Sequence, residues 1–243
     1  MMHNTGMLFT GLVSLLVSTS ALVSGLFIFK RKKKEDENLT AYSYFLVVTG
    51  VVWFFVALEL FASWLGYEML QRVFFIVDQF FVFCTGPVLA YYLTRKMFYK
   101  RGLATYITAV YIFAVILAML SFIKYGIVEG EVTYFASKFQ PNEYAFAIFV
   151  CMLAPLLFAV VFDSVSRVVR WIVSKKVTNP YSFFYSLVIV VYLAIGIFDE
   201  QGLIANWGLV FFRLIDAAVF LMAYLTFYFQ HLREEHFLED LTT

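Results

Sequence analysis

Charged residues are scarce in this sequence. Only 14% of its 243 residues are Asp, Glu, Lys or Arg, and the formal net charge is +1. A balance this close to zero offers no basic surface to nucleic acid, so we expect no nucleic-acid partner. Hydrophobic residues make up 63% of the chain, and the mean hydropathy is +0.83. This composition is typical of a polytopic membrane protein rather than of a globular domain.

Cysteine and histidine are nearly absent, which limits the chemistry available. The two cysteines, Cys84 and Cys151, lie in apolar runs without the paired spacing of a metal site or a disulfide framework. The three histidines lie near the chain ends. No Walker, zinc-protease, hydrolase-elbow or dinucleotide motif occurs. We therefore expect no enzyme activity, no metal and no cofactor in this chain.

Seven apolar runs are long enough to cross a bilayer, which takes about 20 helical residues. They predict an all-α membrane protein, a seven-transmembrane helix bundle. The predicted domain comprises residues 1–229, and a cytoplasmic tail helix follows over 230–243. In the connection after the fourth span, the sequence VEGEVTYF favours a small hairpin. The predicted spans are 7–29, 41–65, 73–93, 103–123, 144–172, 181–198 and 207–228.

Lys and Arg are concentrated in the loops on one side of the predicted bundle. Basic stretches lie at 30–34, 95–101 and 167–176, after the first and third spans and at the end of the fifth. Because positively charged loops stay in the cytoplasm, we predict an outside N-terminus and a cytoplasmic C-terminus in the cell membrane. The positive charges follow the first span instead of preceding it, so we expect this span to be retained and not cleaved as a signal.

Four predicted spans carry polar side chains at a similar depth, about 8 to 13 Å from the outer end at a rise of 1.5 Å per residue. A charge at membrane depth costs about 2.5–3.5 kcal/mol or more. Arg213 is therefore expected to face the bundle interior and to pair with Glu59, Asp78 or Asp216. Three acids against one arginine leave at least one acid protonated, hydrated or bound to a cationic partner. The polar residues are Glu59, Asp78, Gln79, Tyr192, Arg213 and Asp216.

Three interpretations of these polar residues stay open. With Trp53 and Trp64 nearby, and Asp199 and Glu200 at the mouth, they can form an acid-rich, aromatic-lined cavity for a small ligand or a proton. They can instead be a structural ion-pair network that fixes helix rotation, or charges that face lipid.

Two other patterns indicate structural roles. Asp163 and Arg167 are four residues apart near the cytoplasmic end of the fifth span, the spacing of a helical ion pair. In the first span, Ser14 and Ser18, and also Ser20 and Ser24, are four residues apart. Small residues at this spacing predict close helix packing.

Two stretches of the membrane region carry a family resemblance. WFFVALEL (53–60) and GPVLAYYLTRK (86–96), together with the predicted orientation, resemble the seven-span N-terminal sensor domains of bacterial histidine kinases and diguanylate cyclases. LEDLTT at 238–243 resembles the entry into a diguanylate cyclase domain. The resemblance implies a sensor that passes a signal through its last helix to a cytoplasmic output domain. That domain would follow the tail or belong to a partner protein.

We therefore predict a bacterial sensory or receptor module that binds a small ligand in the outer-half pocket and signals through the last helix. The expected partners are membrane lipids, a small molecule from the outer side, a cytoplasmic effector and a second copy of the chain. One alternative is a small cation or proton transporter or channel that uses Glu59, Asp78 and Asp216 as a relay. Another is an accessory subunit of a larger membrane complex, whose aromatic surface faces partner helices.

The predicted orientation can be tested by cysteine labelling in intact cells. A cysteine introduced between residues 126 and 138 should react with a membrane-impermeant maleimide, because that loop is predicted outside. A cysteine introduced between residues 30 and 38 should react only after the cells are permeabilised. Labelling of the second position but not the first in intact cells would reverse the topology.

Overall fold

The computed structural model describes residues 5–32, 36–129, 135, 139–174, 180–200 and 207–240. By length and composition, seven of its helices can cross a membrane. The chain is thus a multi-pass membrane protein, and the predicted all-α arrangement of seven long apolar helices is confirmed. The helices are α1 (Thr5–Arg31), α2 (Glu37–Leu65), α3 (Glu68–Phe98), α4 (Arg101–Tyr125), α5 (Glu143–Ser174), α6 (Pro180–Glu200) and α7 (Trp207–Asp240).

Each predicted span lies within one of these helices. α7 continues without interruption from the last predicted span to Asp240, and residues 241–243 lie outside the described part of the chain. The division between a membrane domain ending at residue 229 and a tail stays a prediction.

Alternate helix ends meet on two opposite faces of the bundle. The N-terminal face carries the start of α1, the turn between α2 and α3, and the start of α7. The rings of Phe9 and Trp207 meet there, with their centroids 6.2 Å apart. The C-terminal face carries the end of α3 and the start of α2, where Arg95 Nη2 lies 2.8 Å from Glu37 Oε2.

Six helices form a closed ring, and the seventh packs outside it. Around the ring, α1 contacts α2, α2 contacts α3, α3 contacts α5, α5 contacts α6, α6 contacts α7, and α7 returns to α1. α4 packs against α3 and α5 on the outside. Only 22% of its apolar segment is buried, against 56% for α2 and α3. Its exposed side is rich in aliphatic and aromatic residues, as expected of a surface that meets lipid.

Aromatic side chains fill the middle of the ring. Tyr42, Phe45 and Phe220 are fully buried, and Tyr192 is nearly so. The ring centroid of Phe45 lies 6.0 Å from that of Tyr42 and 5.4 Å from that of Tyr192. The centroid of Phe220 lies 5.8 Å from that of Tyr192. We call these four residues the aromatic layer; it joins α2, α6 and α7.

Small residues let α1 approach its neighbours closely, in agreement with the packing role predicted for its serines. Ser18 Oγ donates to the carbonyl of Gly50 on α2 at 2.7 Å. Ser24 Oγ donates to the carbonyl of Phe220 on α7 at 2.8 Å. At Gly25, an added Cβ would lie 3.0 Å from the backbone carbonyl oxygen of Ser43.

The connection between α4 and α5 forms a short hairpin. Strand β1 (Val128–Glu129) pairs antiparallel with β2 (Phe139–Gln140). The first strand lies in the predicted stretch and the second lies beyond it, while residues 130–134 fall outside the described residues. Arg72 Nη2 on α3 lies 2.9 Å from Glu129 Oε1, and Phe75 packs against Phe139 with centroids 5.9 Å apart. The hairpin therefore rests on the start of α3.

The close approach of α1 and α2 makes Gly25 sensitive to substitution. We expect Gly25→Ala to destabilise the protein by about 1–3 kcal/mol, the range for overpacking, because the new Cβ meets backbone atoms that cannot rotate away. Thermal unfolding in detergent measures the change. Gly102→Ala is the matched control, because a Cβ there meets no atom within 4 Å. Equal melting temperatures for the two variants would contradict the close approach.

Candidate functional site

A cavity of about 180 Å³ lies in the half of the bundle nearest to the N-terminal face. Five of the six residues singled out in the sequence line it; the exception is Asp216. The cavity brings together side chains from α2, α3, α6 and α7. These helices contain the four spans whose polar residues were predicted to lie at a similar depth. The five residues are Glu59, Asp78, Gln79, Tyr192 and Arg213.

Helical periodicity explains why these side chains meet. Positions three, four or seven residues apart share one face of a helix. On α6, Tyr192, Gly196 and Asp199 follow this spacing and all line the cavity. On α3, the series runs from Phe75 through Asp78 and Val82 to Thr85; on α2, it runs from Val52 and Trp53 through Val56 to Glu59 and Leu60.

The cavity walls are mostly apolar. Phe75, Phe149 and Leu153 are among the lining residues, and Tyr192 of the aromatic layer also contributes. Residues 139–141, at and after strand β2, complete the lining. This contribution could not be predicted from the sequence, because these residues follow a long connection and carry no periodic pattern of their own.

Arg213 ties α7 to three other helices. Its Nη1 donates to Ser14 Oγ on α1 at 2.8 Å. Its guanidinium carbon lies 5.3 Å from the ring centroid of Trp53 on α2, within cation–π range. Its Nη2 lies 3.7 Å from Asp199 Oδ2 on α6. With only 6% of the residue exposed, Arg213 faces the bundle interior, as its cost in lipid requires.

Arg213 forms an ion pair with a residue that was not among its expected partners. The sequence pointed to Glu59, Asp78 or Asp216, and it placed Asp199 at the mouth of the cavity. Arg213 Nη2 lies within ion-pair distance of Asp199 Oδ2, and pairing with Glu59, Asp78 or Asp216 stays a prediction. The reason is rotational: α6 turns the face that carries Tyr192 and Asp199 toward α7, and the depth of a residue along its helix does not reveal this. Ser14 was assigned to packing alone, although it also accepts a hydrogen bond from Arg213.

Asp216 lies one helical turn below Arg213 and outside the cavity lining. The residue is fully buried. Neither of its carboxylate oxygens has a hydrogen-bond partner among the described residues. A buried acid in this situation is costly to keep ionised.

A second polar cluster lies at the C-terminal face. Lys96 Nζ lies 3.1 Å from Asp163 Oδ2 and donates to Ser186 Oγ at 2.7 Å. Arg167 Nε contacts both oxygens of Asp163 at 3.0 and 3.1 Å, so the predicted Asp163–Arg167 pair is present. Lys96 was grouped with the basic loop residues, yet it is only 8% exposed. We call Lys96, Asp163, Arg167 and Ser186 the lower cluster.

In the part of the chain that the structure describes, no group of three or more His, Cys, Asp and Glu side chains is arranged to hold a metal ion.

Comparison with protein-family models, with curated proteins and with solved structures found no match to this chain. The resemblance to sensor domains therefore stays a prediction from the sequence.

Because Arg213 joins four helices, its removal should weaken the whole bundle. We expect Arg213→Gln to lower the free energy of unfolding by about 3 kcal/mol, the lower end of the range for breaking a buried ion pair. The lower end applies because the side chain of Asp199 is 27% exposed. Arg72→Gln is the control: its pair with Glu129 is about half exposed on both sides, and such surface pairs contribute about 1 kcal/mol or less. If thermal unfolding shows similar decreases in the free energy of unfolding for both variants, the contacts of Arg213 do not stabilise the bundle more than a surface ion pair does.

Proposed function

We propose that this chain is a bacterial membrane sensor that binds a small ligand in the cavity and transmits the change through α7. The observation that carries the proposal is the lining itself: acidic, basic and amide side chains from four helices meet in one cavity of about 180 Å³. Convergent polar groups in an apolar pocket are the usual form of a small-molecule site. On the asymmetry of Lys and Arg, we place the N-terminal face outside the cell and the C-terminal face in the cytoplasm.

The size of the cavity limits the ligand. An apolar cavity of ~150 Å³ in another protein accommodates benzene, so a volume of about 180 Å³ fits a molecule of comparable size. Metabolites of a few carbon atoms are within this limit, whereas peptides and sugars of several rings are not.

Arg213 supplies the link between the ligand and α7. A ligand that competes for Asp199 or displaces the guanidinium from Trp53 changes the contacts that hold α7 against α2 and α6. Ligands act by favouring one of two packings to which they bind with different affinity. α7 then runs from Trp207 to Asp240 as one helix, so a shift at the cavity reaches the C-terminal face directly.

The aromatic layer offers a parallel route to the lower cluster. Tyr192 lines the cavity and contacts Phe45, which contacts Tyr42. The centroid of Tyr42 lies 5.5 Å from that of Tyr92, and Lys96 Nζ lies 5.5 Å from the centroid of Tyr92. Packed side chains of this kind connect the cavity with the ion pairs at the C-terminal face, and contiguous packing is a physical means of coupling two sites.

A transporter remains the alternative, and the aromatic layer argues against it. The acids of the cavity lie on one side of this layer, and the lower cluster lies on the other. Fully buried Phe45 and Phe220 stand between them. A proton or cation relay needs polar groups through this region, and the layer supplies little besides the Tyr192 and Tyr42 hydroxyls.

The proposal is tested by filling the cavity without removing a charge. Gly196 lines the cavity, and a Cβ there meets no atom within 4 Å. We expect Gly196→Leu to leave the bundle folded and to change the output of a diguanylate cyclase fused to the C-terminus of the full chain. The change should lie between about 5- and 150-fold, the usual range of allosteric coupling. Gly102→Leu is the matched control, because Gly102 has the same free space and lies outside the cavity.

Cation and proton uptake, measured in vesicles that contain the same variants, separates the two functions. A sensor predicts altered cyclase output for Gly196→Leu and no uptake by the parent protein. Uptake that is lost in Gly196→Leu, together with unchanged output from an active fusion, would favour the transporter.

A further inference from the structure

We propose that Asp216 is a proton-binding site: its carboxyl group carries a proton in the packing described here and releases it when α7 shifts toward the cavity. The proton site rests on the surroundings of Asp216 and does not depend on the ligand-binding role proposed for the cavity. Only its effect on a signal rests on that role.

The carboxyl group of Asp216 is enclosed by protein. No part of the residue is exposed, and neither carboxylate oxygen has a hydrogen-bond partner among the described residues. An ionised carboxylate that loses its water without gaining hydrogen bonds is strongly destabilised, and such a group takes up a proton instead. The neutral acid is therefore the form that fits these surroundings.

The guanidinium of Arg213, one helical turn away, is directed to other residues. Its Nη1 donates to Ser14, its Nη2 faces Asp199, and its Nε has no hydrogen-bond partner among the described residues. The side chain of Asp199 is 27% exposed, so water helps to keep this carboxylate ionised. Arg213 thus has an ionised partner that is less costly than a charge on Asp216 would be.

The titratable groups on the helices around Asp216 do not stabilise an anion there. α7 packs against α1 and α6, and residues 5–29 of α1 include no titratable side chain. The groups on α6 that act on Asp216 electrostatically, and those on α2 and α3 across the cavity, are carboxylic acids and a phenol. They are Asp199 and Tyr192 on α6, Glu59 on α2 and Asp78 on α3.

Asp216 lies beneath the cavity. Leu209, Arg213 and Asp216 follow one another at intervals of four and three residues, so they share one face of α7, and the first two line the cavity. Asp216 is about 4.5 Å further along the helix axis than Arg213, at 1.5 Å per residue. Helices in switching proteins shift by about 1–2 Å, and in larger changes by one turn. Such a shift of α7 toward the N-terminal face brings the carboxyl group to the level of the cavity.

At the level of the cavity, water can solvate the carboxylate. The O–H bond of the carboxyl group then breaks, a water molecule accepts the proton, and the electron pair stays on the carboxylate. The packing described here keeps the proton and the shifted packing does not. A rising pH therefore favours the shifted packing, by up to about tenfold per pH unit for a single proton.

Infrared difference spectroscopy on the purified full chain tests whether Asp216 is protonated. At pH 7 exposed carboxyl groups are ionised, so the C=O stretching band of a neutral carboxylic acid comes from buried acids. We expect this band in the spectrum of the parent protein minus that of Asp216→Asn, whose amide has nearly the shape of the neutral acid. Glu129→Gln is the matched control and should give no such band, because Glu129 pairs with Arg72 at the surface.

Two further variants sharpen the test. Asp216→Glu keeps the acid and should move the band instead of removing it, so the result does not depend on the folding of the amide variant. Asp199→Asn should make the band disappear at a lower pH than in the parent, because it frees Arg213 and removes a negative charge near Asp216. The inference is overturned if the parent lacks the band, or if the band persists unchanged in both proteins up to the pH at which they unfold.

The cyclase fusion separates this inference from the sensor proposal. If α7 carries the shift to the output, the output of the parent fusion relative to that of Asp216→Asn should change with pH, by up to about tenfold per pH unit. This change should occur where the band disappears. Disappearance of the band without a change in output would leave the proton site standing and count against the sensor. A parent without the band, together with altered output for Gly196→Leu, would overturn the proton site and leave the sensor proposal standing.

Discussion

The contacts of Arg213 are the constraint on which the N-terminal half of the bundle depends. A guanidinium cannot be left in hydrocarbon without a cost of about 2.5–3.5 kcal/mol or more. Ser14, Trp53 and Asp199, from three different helices, together offset that cost. These contacts fix the rotation of α7, and they thereby direct Leu209 and Arg213 toward the cavity.

The lower cluster and the surroundings of the cavity differ in how many of their polar groups have hydrogen-bond partners. In the lower cluster, Lys96, Asp163 and Ser186 bond to one another across α3, α5 and α6. Around the cavity, the indole N–H of Trp53 and both oxygens of Asp216 lack hydrogen-bond partners among the described residues. A fully bonded network is rigid, whereas a partly bonded one gains by rearranging or by binding another molecule. The N-terminal half of the bundle, which contains the cavity, is therefore the half that can rearrange.

The sequence predicted the helices well because the bilayer imposes a simple rule: each crossing needs about 20 apolar residues. It also predicted that polar residues from four spans would gather, since charges at membrane depth avoid lipid. Pairwise contacts between different helices were beyond its reach. The Asp199–Arg213 pair depends on the rotation of α6 against α7, the second hairpin strand depends on a long connection, and Lys96 is buried because Asp163 and Ser186 surround it.

The position of Arg213 in the last helix has a consequence for how the protein enters the membrane. Helices are synthesised in order, so α1, α2 and α6 precede α7 out of the ribosome. When the guanidinium of Arg213 reaches the bilayer, the hydroxyl of Ser14, the indole of Trp53 and the carboxylate of Asp199 can already be there. An arginine in α1 would instead enter the membrane before the residues that stabilise it. Arg213, which is costly to place in lipid, thus enters the membrane after the residues that stabilise it. A chain circularly permuted to begin with α7 would lose that advantage.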